Sequence, residues 1–184
     1  VRAMVQADSE AARRGQGMRP ETEQELAGML RDATGPVVVR GGGTRAIGAA
    51  ARALSEGSAT VIETGALCGI ELHEPGALTL VARAGTPLCE VEAQLAREGQ
   101  RLAFEPPDLG GLLGRDGHST IGGVVAANAS GPRRVQSGAC RDSLLGVRFV
   151  DGTGMVVRNG GRVMKNVTGY DLARLVAGAS RSLE

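Results

Sequence analysis

Aromatic side chains are nearly absent from this sequence, whose 184 residues include only Phe104, Phe149 and Tyr170. So few rings leave little for stacking on the bases of single-stranded nucleic acid, and they imply an aliphatic core. The net charge of +1 also lacks the basic excess that polyanion-binding domains carry. We therefore expect no nucleic-acid partner.

Cysteine is scarce as well, and its pattern excludes several kinds of site. Cys68, Cys89 and Cys140 are widely spaced and form no CxxC pair, which predicts reduced, mostly buried thiols and no metal or iron–sulfur site. No apolar run approaches the roughly 20 residues of a membrane helix. Residues 1–14 lack the apolar core of a signal peptide. The sequence therefore predicts a soluble protein in the cytoplasm.

Glycine, in contrast, is abundant, with 29 residues, about double the usual ~7%. The glycines are clustered, which indicates places where the backbone must come close to something. Around the clusters, the first third of the chain alternates between helix and strand. The predicted elements are a helix capped by Thr22 and Glu25, a strand at 36–40 buried on both faces, a helix at 46–54 and a strand at 60–63. This order predicts parallel strands in a small α/β lobe at residues 20–65, after a flexible segment at 1–19.

The remainder, residues 66–184, predicts a larger α+β lobe with antiparallel strands. Its predicted elements are a strand at 77–83, a helix capped by Thr86 with Leu88, Val91 and Leu95 on its buried face, a hairpin around 151–154, a strand at 162–166 and a helix at 170–177 capped by Asp171.

The first glycine cluster, Gly41-Gly42-Gly43-Thr44, directly follows a predicted strand. Consecutive glycines let several backbone N–H groups point to one spot and form a concavity for a phosphate. A ligand-free turn is the alternative. A third interpretation is a Rossmann dinucleotide fingerprint, with Glu63 on the ribose. The absence of further strand–helix alternation after Gly99 argues against it.

The second glycine cluster lies within residues 120–131 and consists almost wholly of small residues. A chain builds such a loop where an elongated ligand lies against its backbone. Ser119, Thr120, Asn128 and Ser130 offer hydroxyl and amide partners for phosphate or ribityl oxygens. Arg133 and Arg134 follow, either to offset pyrophosphate charge or as solvated surface residues.

The motifs VVVRGGGT at 37–44 and TIGGVVAANASG at 120–131 resemble the two FAD segments of PCMH-type, or vanillyl-alcohol-oxidase-like, flavoproteins. FEPPD at 104–108, GPRR at 131–134 and VMKNVTGYDL at 163–172 resemble more narrowly the FAD-binding subunits of bacterial glycolate oxidases. This resemblance runs from about Pro20 to Gly178.

The resemblance implies a PCMH-type α+β fold in which FAD lies extended between a small parallel lobe and a larger lobe with an antiparallel sheet. The residues it assigns to the cofactor are Arg40, Gly41, Gly42, Gly43, Thr44, Pro106, Ser119, Thr120, Ile121, Gly122, Gly123, Asn128 and Gly131. Because Thr44 and Arg45 follow the glycine triplet, we expect non-covalent FAD, with His118 as the one residue that could attach it and Cys140 a poorer candidate. Lys165 and Asn166 are expected to support the fold or to contact the flavin, and no catalytic base is assigned.

The family also implies partners and a larger whole. We expect an FAD-dependent oxidation of a 2-hydroxy acid in a glycolate oxidase complex, with a second flavoprotein subunit and a separate iron–sulfur subunit. Such a complex would be cytoplasmic or peripheral to the inner face of the membrane. The last strand of the FAD lobe and the substrate-binding cap domain are expected to be missing, so that this chain alone would be inactive. Two alternatives remain: a non-catalytic assembly subunit with little flavin, and a nicotinamide-binding domain.

Overall fold

The computed structural model describes residues 17–45, 48–161 and 169–179. Its described elements alternate short helices with paired strands. In chain order they are α1 (Glu23–Asp32), β1 (Val37–Arg40), α2 (Ala49–Glu56), β2 (Thr60–Glu63), β3 (Ile70–Glu74), β4 (Thr79–Ala82), α3 (Leu88–Ala96), α4 (Ile121–Ala126), α5 (Arg134–Ser137), α6 (Cys140–Ser143), β5 (Gly146–Val150), β6 (Val156–Gly160) and α7 (Leu172–Val176). Within the described residues, the strands form three two-stranded sheets.

The parallel sheet confirms the predicted small α/β unit. Val37 pairs with Thr60 and Arg40 with Glu63, so β1 and β2 run side by side in register. Met18 bridges to Ile62 on β2, with its backbone bonded to Val61 and Glu63. The prediction that β1 is buried on both faces is wrong, because Val39 is 58% exposed.

The helices of this unit begin and end where local signals place them. Thr22 caps α1 by accepting from the Glu25 amide at 3.2 Å, as predicted, although the Glu25 carboxylate accepts from the Glu21 amide at 2.9 Å instead of from Thr22. The helix predicted at 46–54 ends two residues later than expected, at Glu56, where Gly57 adopts φ 64°. Its described part begins at Ala49, since residues 46 and 47 lie outside the described ranges.

The antiparallel part contains one strand that the sequence pattern missed, β3, which pairs with β4. The strand predicted at 77–83 begins only at Thr79, because Leu78 adopts a left-handed conformation with φ 51°. The apolar face predicted for α3 is confirmed, with Leu88, Val91 and Leu95 buried.

Three expectations in this part are wrong. Thr86 does not cap α3, because its hydroxyl bonds instead to the backbone of Gly69 and Arg83. Cys68 and Cys89 are exposed, so only Cys140 matches the expectation of buried thiols. The glycines at 122 and 123 also do not form a loop, since they lie inside α4.

The core lies beneath α4. Leu88, Phe104, Val124 and Cys140 form one buried cluster, against which Leu102, Ile121, Val125 and Ala129 pack. Because Leu88 belongs to α3 and Cys140 to α6, this cluster joins three helices with the segment around Phe104. The cluster holds α4 in place through Val124.

The predicted hairpin is confirmed as β5 and β6, and its turn contacts α1. Val150 pairs with Val156, and the Asp151 carboxylate closes the turn by accepting from Thr153 and from the Met155 amide. Arg31 on α1 donates to the Gly154 carbonyl at 3.4 Å. The bond between Arg31 and Gly154 joins α1 to the antiparallel part.

The final helix is also confirmed, although it is shorter than predicted. Asp171 caps α7 by accepting from the Arg174 amide at 3.1 Å. The strand predicted at 162–166, with Lys165 and Asn166, lies outside the described residues. None of the helices in the described ranges has the length and apolar character needed to cross a membrane.

Candidate cofactor site

The first glycine segment, residues 41–44, leaves the carboxyl end of β1. Among the described residues, no group accepts a hydrogen bond from the backbone amides of Gly41, Gly42, Gly43 or Thr44. Gly43 has φ 72°, a conformation that glycine adopts without strain. Four consecutive donors without acceptors, next to a left-handed residue, provide the features of a backbone anion site.

Arg40 and Glu63 close the ends of β1 and β2 with an ion pair. The Arg40 side chain was predicted to contact the cofactor, and its guanidinium is engaged here by a carboxylate. Only its stem lies beside Gly43, whose added Cβ would be 3.7 Å from Arg40 Cδ. Glu63, which the Rossmann interpretation placed on a ribose, is occupied by the same pair.

The first segment rests directly on the backbone that precedes α4. A methyl group added at Gly42 would lie 1.5 Å from the His118 carbonyl oxygen, and one added at Gly117 would lie 1.6 Å from the Gly42 carbonyl oxygen. At Gly41 it would lie 2.5 Å from Thr120 Oγ1. Glycine is required at 42 and 117 because two backbones touch there, and at 41 the Thr120 side chain occupies the space that a Cβ would need.

The second glycine segment, residues 120–131, uses its amides differently. The Ile121 amide donates to Thr86 O at 2.9 Å and the Gly122 amide to Ala84 O at 2.8 Å. Thr120 caps α4 and accepts from the Gly123 amide at 3.3 Å. These backbone donors are therefore already bonded within the protein, and what Gly122 contributes is close packing on Ala84.

The polar residues after α4 also have partners. Asn128, at φ 46°, accepts from the Arg141 amide through Oδ1 at 3.0 Å, and Ser130 Oγ accepts from the Cys140 amide at 2.9 Å. The Gly131 amide donates to Phe104 O at 2.8 Å. The assignment of Asn128 and Gly131 to the cofactor stays a prediction, beside these structural roles.

A third segment, residues 105–107, lies beside the second glycine segment, where a Cβ added at Gly131 would be 2.4 Å from the Glu105 carbonyl oxygen. Glu105 has φ 43°, which is uncommon for a residue other than glycine, and it pairs with Arg101 at 3.0 Å and Arg133 at 3.5 Å. Pro106 is buried beside it. An open groove of about 360 Å³ borders this segment and is lined by Glu92, Ala96, Gln100, Arg101, Leu102, Glu105 and Pro106.

Arg45 bonds to the first segment, to Ser119 directly before the second segment, and to the third segment, and the sequence assigned it no role at the site. Its Nη1 donates to Ser119 Oγ and, at 3.5 Å, to Thr44 Oγ1, while Nη2 donates to Pro107 O at 2.7 Å. Its Nε is buried and has no acceptor in the described part of the chain. Burial lowers the pKa of the Arg45 guanidinium, against the opposing effect of Asp108. No sequence signal distinguished it from the other arginines.

The side chains considered for covalent attachment or for charge lie at the margins. The backbone of His118 contacts Gly42, and His118 is exposed. Cys140 is buried, and burial raises the pKa of its thiol to about 11. Arg133 pairs with Glu105, and Arg134 is exposed.

Comparison with known proteins decides what this arrangement belongs to. Residues 17–160 match the family described as FAD binding domain, a range that includes both glycine segments and the segment between them. The chain belongs to this FAD-binding family. Its cofactor is FAD, and the nicotinamide-binding interpretation is set aside.

The relatives of this FAD-binding chain include oxidoreductase subunits. It is 48% identical over 111 residues to the glycolate oxidase subunit GlcE of Escherichia coli, covering 60% of this chain and 30% of that protein. It is 31% identical to the glycolate oxidase subunit GlcD of Bacillus subtilis, covering 80% of this chain and 29% of that protein, and 29% identical to a D-lactate dehydrogenase of Archaeoglobus fulgidus, covering 90% and 35%. The chain thus spans about a third of the length of these relatives.

The solved structures confirm the fold. Alkyldihydroxyacetonephosphate synthase superposes with a TM-score of 0.65 at 21% identity, covering 88% of this chain and 28% of that chain. The fold is the PCMH-type FAD-binding domain, as the resemblance implied.

The residues present fit FAD at its diphosphate. Four amides and the buried Nε of Arg45, none with an acceptor among the described residues, together with glycines that carry no side chain, offer donors and room for two phosphates. The residue-by-residue assignment remains a prediction, and the first segment with Arg45 is its strongest part.

Proposed function

We propose that this chain is the FAD-binding part of a flavoprotein that oxidises a small 2-hydroxy acid, within a complex of the glycolate oxidase kind. The observation that carries the proposal is the row of four amides at residues 41–44 that have no acceptor in the described part of the chain, which belongs to the FAD-binding family. The similarity to the GlcE and GlcD subunits and to a D-lactate dehydrogenase supports the substrate class.

In this function the chain's residues bind and orient, and the bound FAD supplies a two-electron acceptor. The first glycine segment holds the diphosphate, Arg45 fixes that segment against Ser119 and Pro107, and Pro106 shapes the approach to the ring. Thr120 and α4 support the first glycine segment. The proposal includes FAD bound without a covalent link, because His118 lies outside the first segment and Cys140 is buried.

The proposal extends to partners. A second flavoprotein subunit would complete the complex, since GlcE and GlcD are both glycolate oxidase subunits. A separate iron–sulfur subunit would carry electrons onward, with the complex in the cytoplasm or at the inner face of the membrane. Among the described residues, no group of three or more His, Cys, Asp or Glu side chains is placed to hold a metal ion.

The first test is flavin binding by the chain itself. We expect the purified chain, freed of bound flavin and titrated with FAD, to quench flavin fluorescence and develop a structured visible band. After denaturation the flavin should stay in the supernatant, whereas flavin in the pellet would indicate a covalent link, which His118→Ala would then locate. A folded chain that never takes up FAD would contradict the proposal and favour a non-catalytic assembly subunit.

The second test addresses the substrate. The complete complex, with its partner subunits, should lose its visible flavin band under anaerobic addition of glycolate or D-lactate. Binding of FAD without bleaching by any 2-hydroxy acid would leave the cofactor assignment intact and overturn the substrate class.

A further inference from the structure

Arg45 differs from the other arginines near the cofactor site in the partners of its guanidinium. Arg40 is paired with Glu63, and Arg133 is paired with Glu105 at 3.5 Å. Arg45, in contrast, bonds to two hydroxyl groups and one carbonyl, all uncharged. Among the described residues, no carboxylate lies within ion-pair distance of it.

A partly desolvated cation whose hydrogen-bond partners are all neutral, and on which Asp108 acts only from beyond ion-pair distance, is an unfavourable arrangement unless an anion completes it. Arginine stays protonated in proteins, so deprotonation does not remove the charge. Arg45 also keeps one donor unused, since its Nε is buried without an acceptor in the described residues. Charge and donor together indicate that an anionic ligand belongs beside this guanidinium.

The position of Arg45 indicates which anion. It directly follows the four unbonded amides of the first glycine segment, and it reaches Ser119 immediately before the cap of α4. An anion held by those amides therefore lies next to the guanidinium. Buried Thr44 and Ser119, 3% and 4% exposed, enclose the same space.

We propose that Arg45 is the cation that neutralises the FAD diphosphate, and that it positions the first glycine segment, the start of α4 and Pro107 around it. This inference rests on the proposed function, because it names the charged partner within that site. A guanidinium suits the task since its planar fork can serve two protein partners while another N–H faces the ligand. Arg40 cannot replace it, because Glu63 neutralises its charge.

The competing explanation is that Arg45 acts only as a structural strap, which means that its bonds tie Ser119 and Pro107 together. Two substitutions separate a strap from a charge partner. Arg45→Lys keeps the positive charge but lacks the fork that spans from Ser119 to Pro107. Arg45→Gln keeps a neutral donor and loses the charge. A strap would suffer from both changes alike, whereas a charge partner would suffer far more from the glutamine. Arg83→Gln removes an exposed pair with Glu71 and serves as the matched control.

The measurements are the FAD dissociation constant and the thermal midpoint of the flavin-free chain for each variant. We expect Arg45→Gln to weaken FAD binding roughly 10- to 100-fold, in the range of a lost charge-assisted hydrogen bond. Arg45→Lys should keep most of the affinity and Arg83→Gln all of it. The flavin-free midpoint should fall in both Arg45 variants, since each loses bonds of the guanidinium to Ser119 and Pro107, so the difference in FAD affinity between the two variants reports the charge.

Two results would overturn the inference. Wild-type affinity in Arg45→Gln would show that the charge is not used. Equal losses in the lysine and glutamine variants, in step with lower flavin-free midpoints, would show a strap. Failure of the wild-type chain to bind FAD would be a different outcome, since it would contradict the proposed function itself.

Discussion

The two glycine segments have similar compositions and opposite backbone chemistry. At residues 41–44 no described group accepts from the amides, whereas at residues 121–123 the amides donate to Thr86, Ala84 and Thr120. The first segment therefore has donors to offer a ligand. The second uses its donors to dock α4 on the turn before α3. A glycine-rich sequence indicates that another group comes close to the backbone. The amides that lack an acceptor among the described residues indicate which of the two segments can offer donors to a ligand.

The two segments also differ in what supports them. Val124 of α4 is fully buried in a cluster with Leu88, Phe104 and Cys140. The first segment has only Thr44 buried, and it is held by contact with residues 117–120 and by Arg45. Regions with few apolar contacts open at low free energy, so the first segment should depend on the second and on FAD.

The largest effect is expected at the junction of the two segments. Gly42→Ala would place Cβ 1.5 Å from the His118 carbonyl oxygen, and no side-chain rotation relieves a clash with backbone. We expect the free energy of unfolding to fall by about 3 kcal/mol or more in urea denaturation of the flavin-free chain, with FAD binding abolished. Gly35→Ala, which meets nothing within 4 Å, is the control. Near-wild-type stability of Gly42→Ala would show that the segments are not in contact in solution.

A smaller effect, confined to folding, is expected from Gly122→Ala. The added Cβ would lie 2.7 Å from both the Cβ and the carbonyl oxygen of Ala84, which should cost about 2 kcal/mol of unfolding free energy. The Gly122 amide is already bonded, so the folded protein should keep its FAD dissociation constant. A variant of unchanged stability with weakened FAD binding would contradict the comparison and place the cofactor against this glycine.

The sequence predicted the parallel pair and the hairpin because their signals are local. The run at 37–40 is followed directly by glycine, and Asp151 and the glycines after it specify a turn, so neighbouring residues decide both elements. It missed β3 and the beginning of β4 at Thr79 for a different reason. Leu78 adopts φ 51°, a left-handed conformation that no pattern of leucine signals.

At the site, the sequence located the glycines but not the use of their amides. Whether Gly122 faces a ligand or Ala84 depends on a contact across 38 positions, which composition does not encode. Arg45 was missed for the same reason. Its partners Ser119 and Pro107 lie 74 and 62 residues away, and nothing in the segment RGGGTR distinguishes Arg45 from Arg40.

A still smaller effect is expected at the cap of α4. Thr120→Val keeps the shape of a buried side chain and removes the oxygen that accepts from the Gly123 amide. Loss of such a cap costs about 1 kcal/mol, which chemical denaturation of the flavin-free chain should detect. Thr120→Ser, which keeps the hydroxyl, should recover most of that loss. Equal stability of the valine and serine variants would mean that α4 does not depend on its cap.

The last prediction concerns the reactivity of the Cys140 thiol, which added FAD should hardly change. Burial raises the pKa of Cys140 to about 11, so at pH 8 only about one thiol in a thousand is ionised and reactive, whereas Cys68 and Cys89 are exposed. An aromatic disulfide reagent should therefore modify two thiols of the native chain and reach Cys140 only on unfolding. Because the protein itself builds α4 and the core beneath it, added FAD should leave the slow reaction of Cys140 nearly unchanged. Strong protection of Cys140 by FAD would mean that the second segment, like the first, is completed by the cofactor.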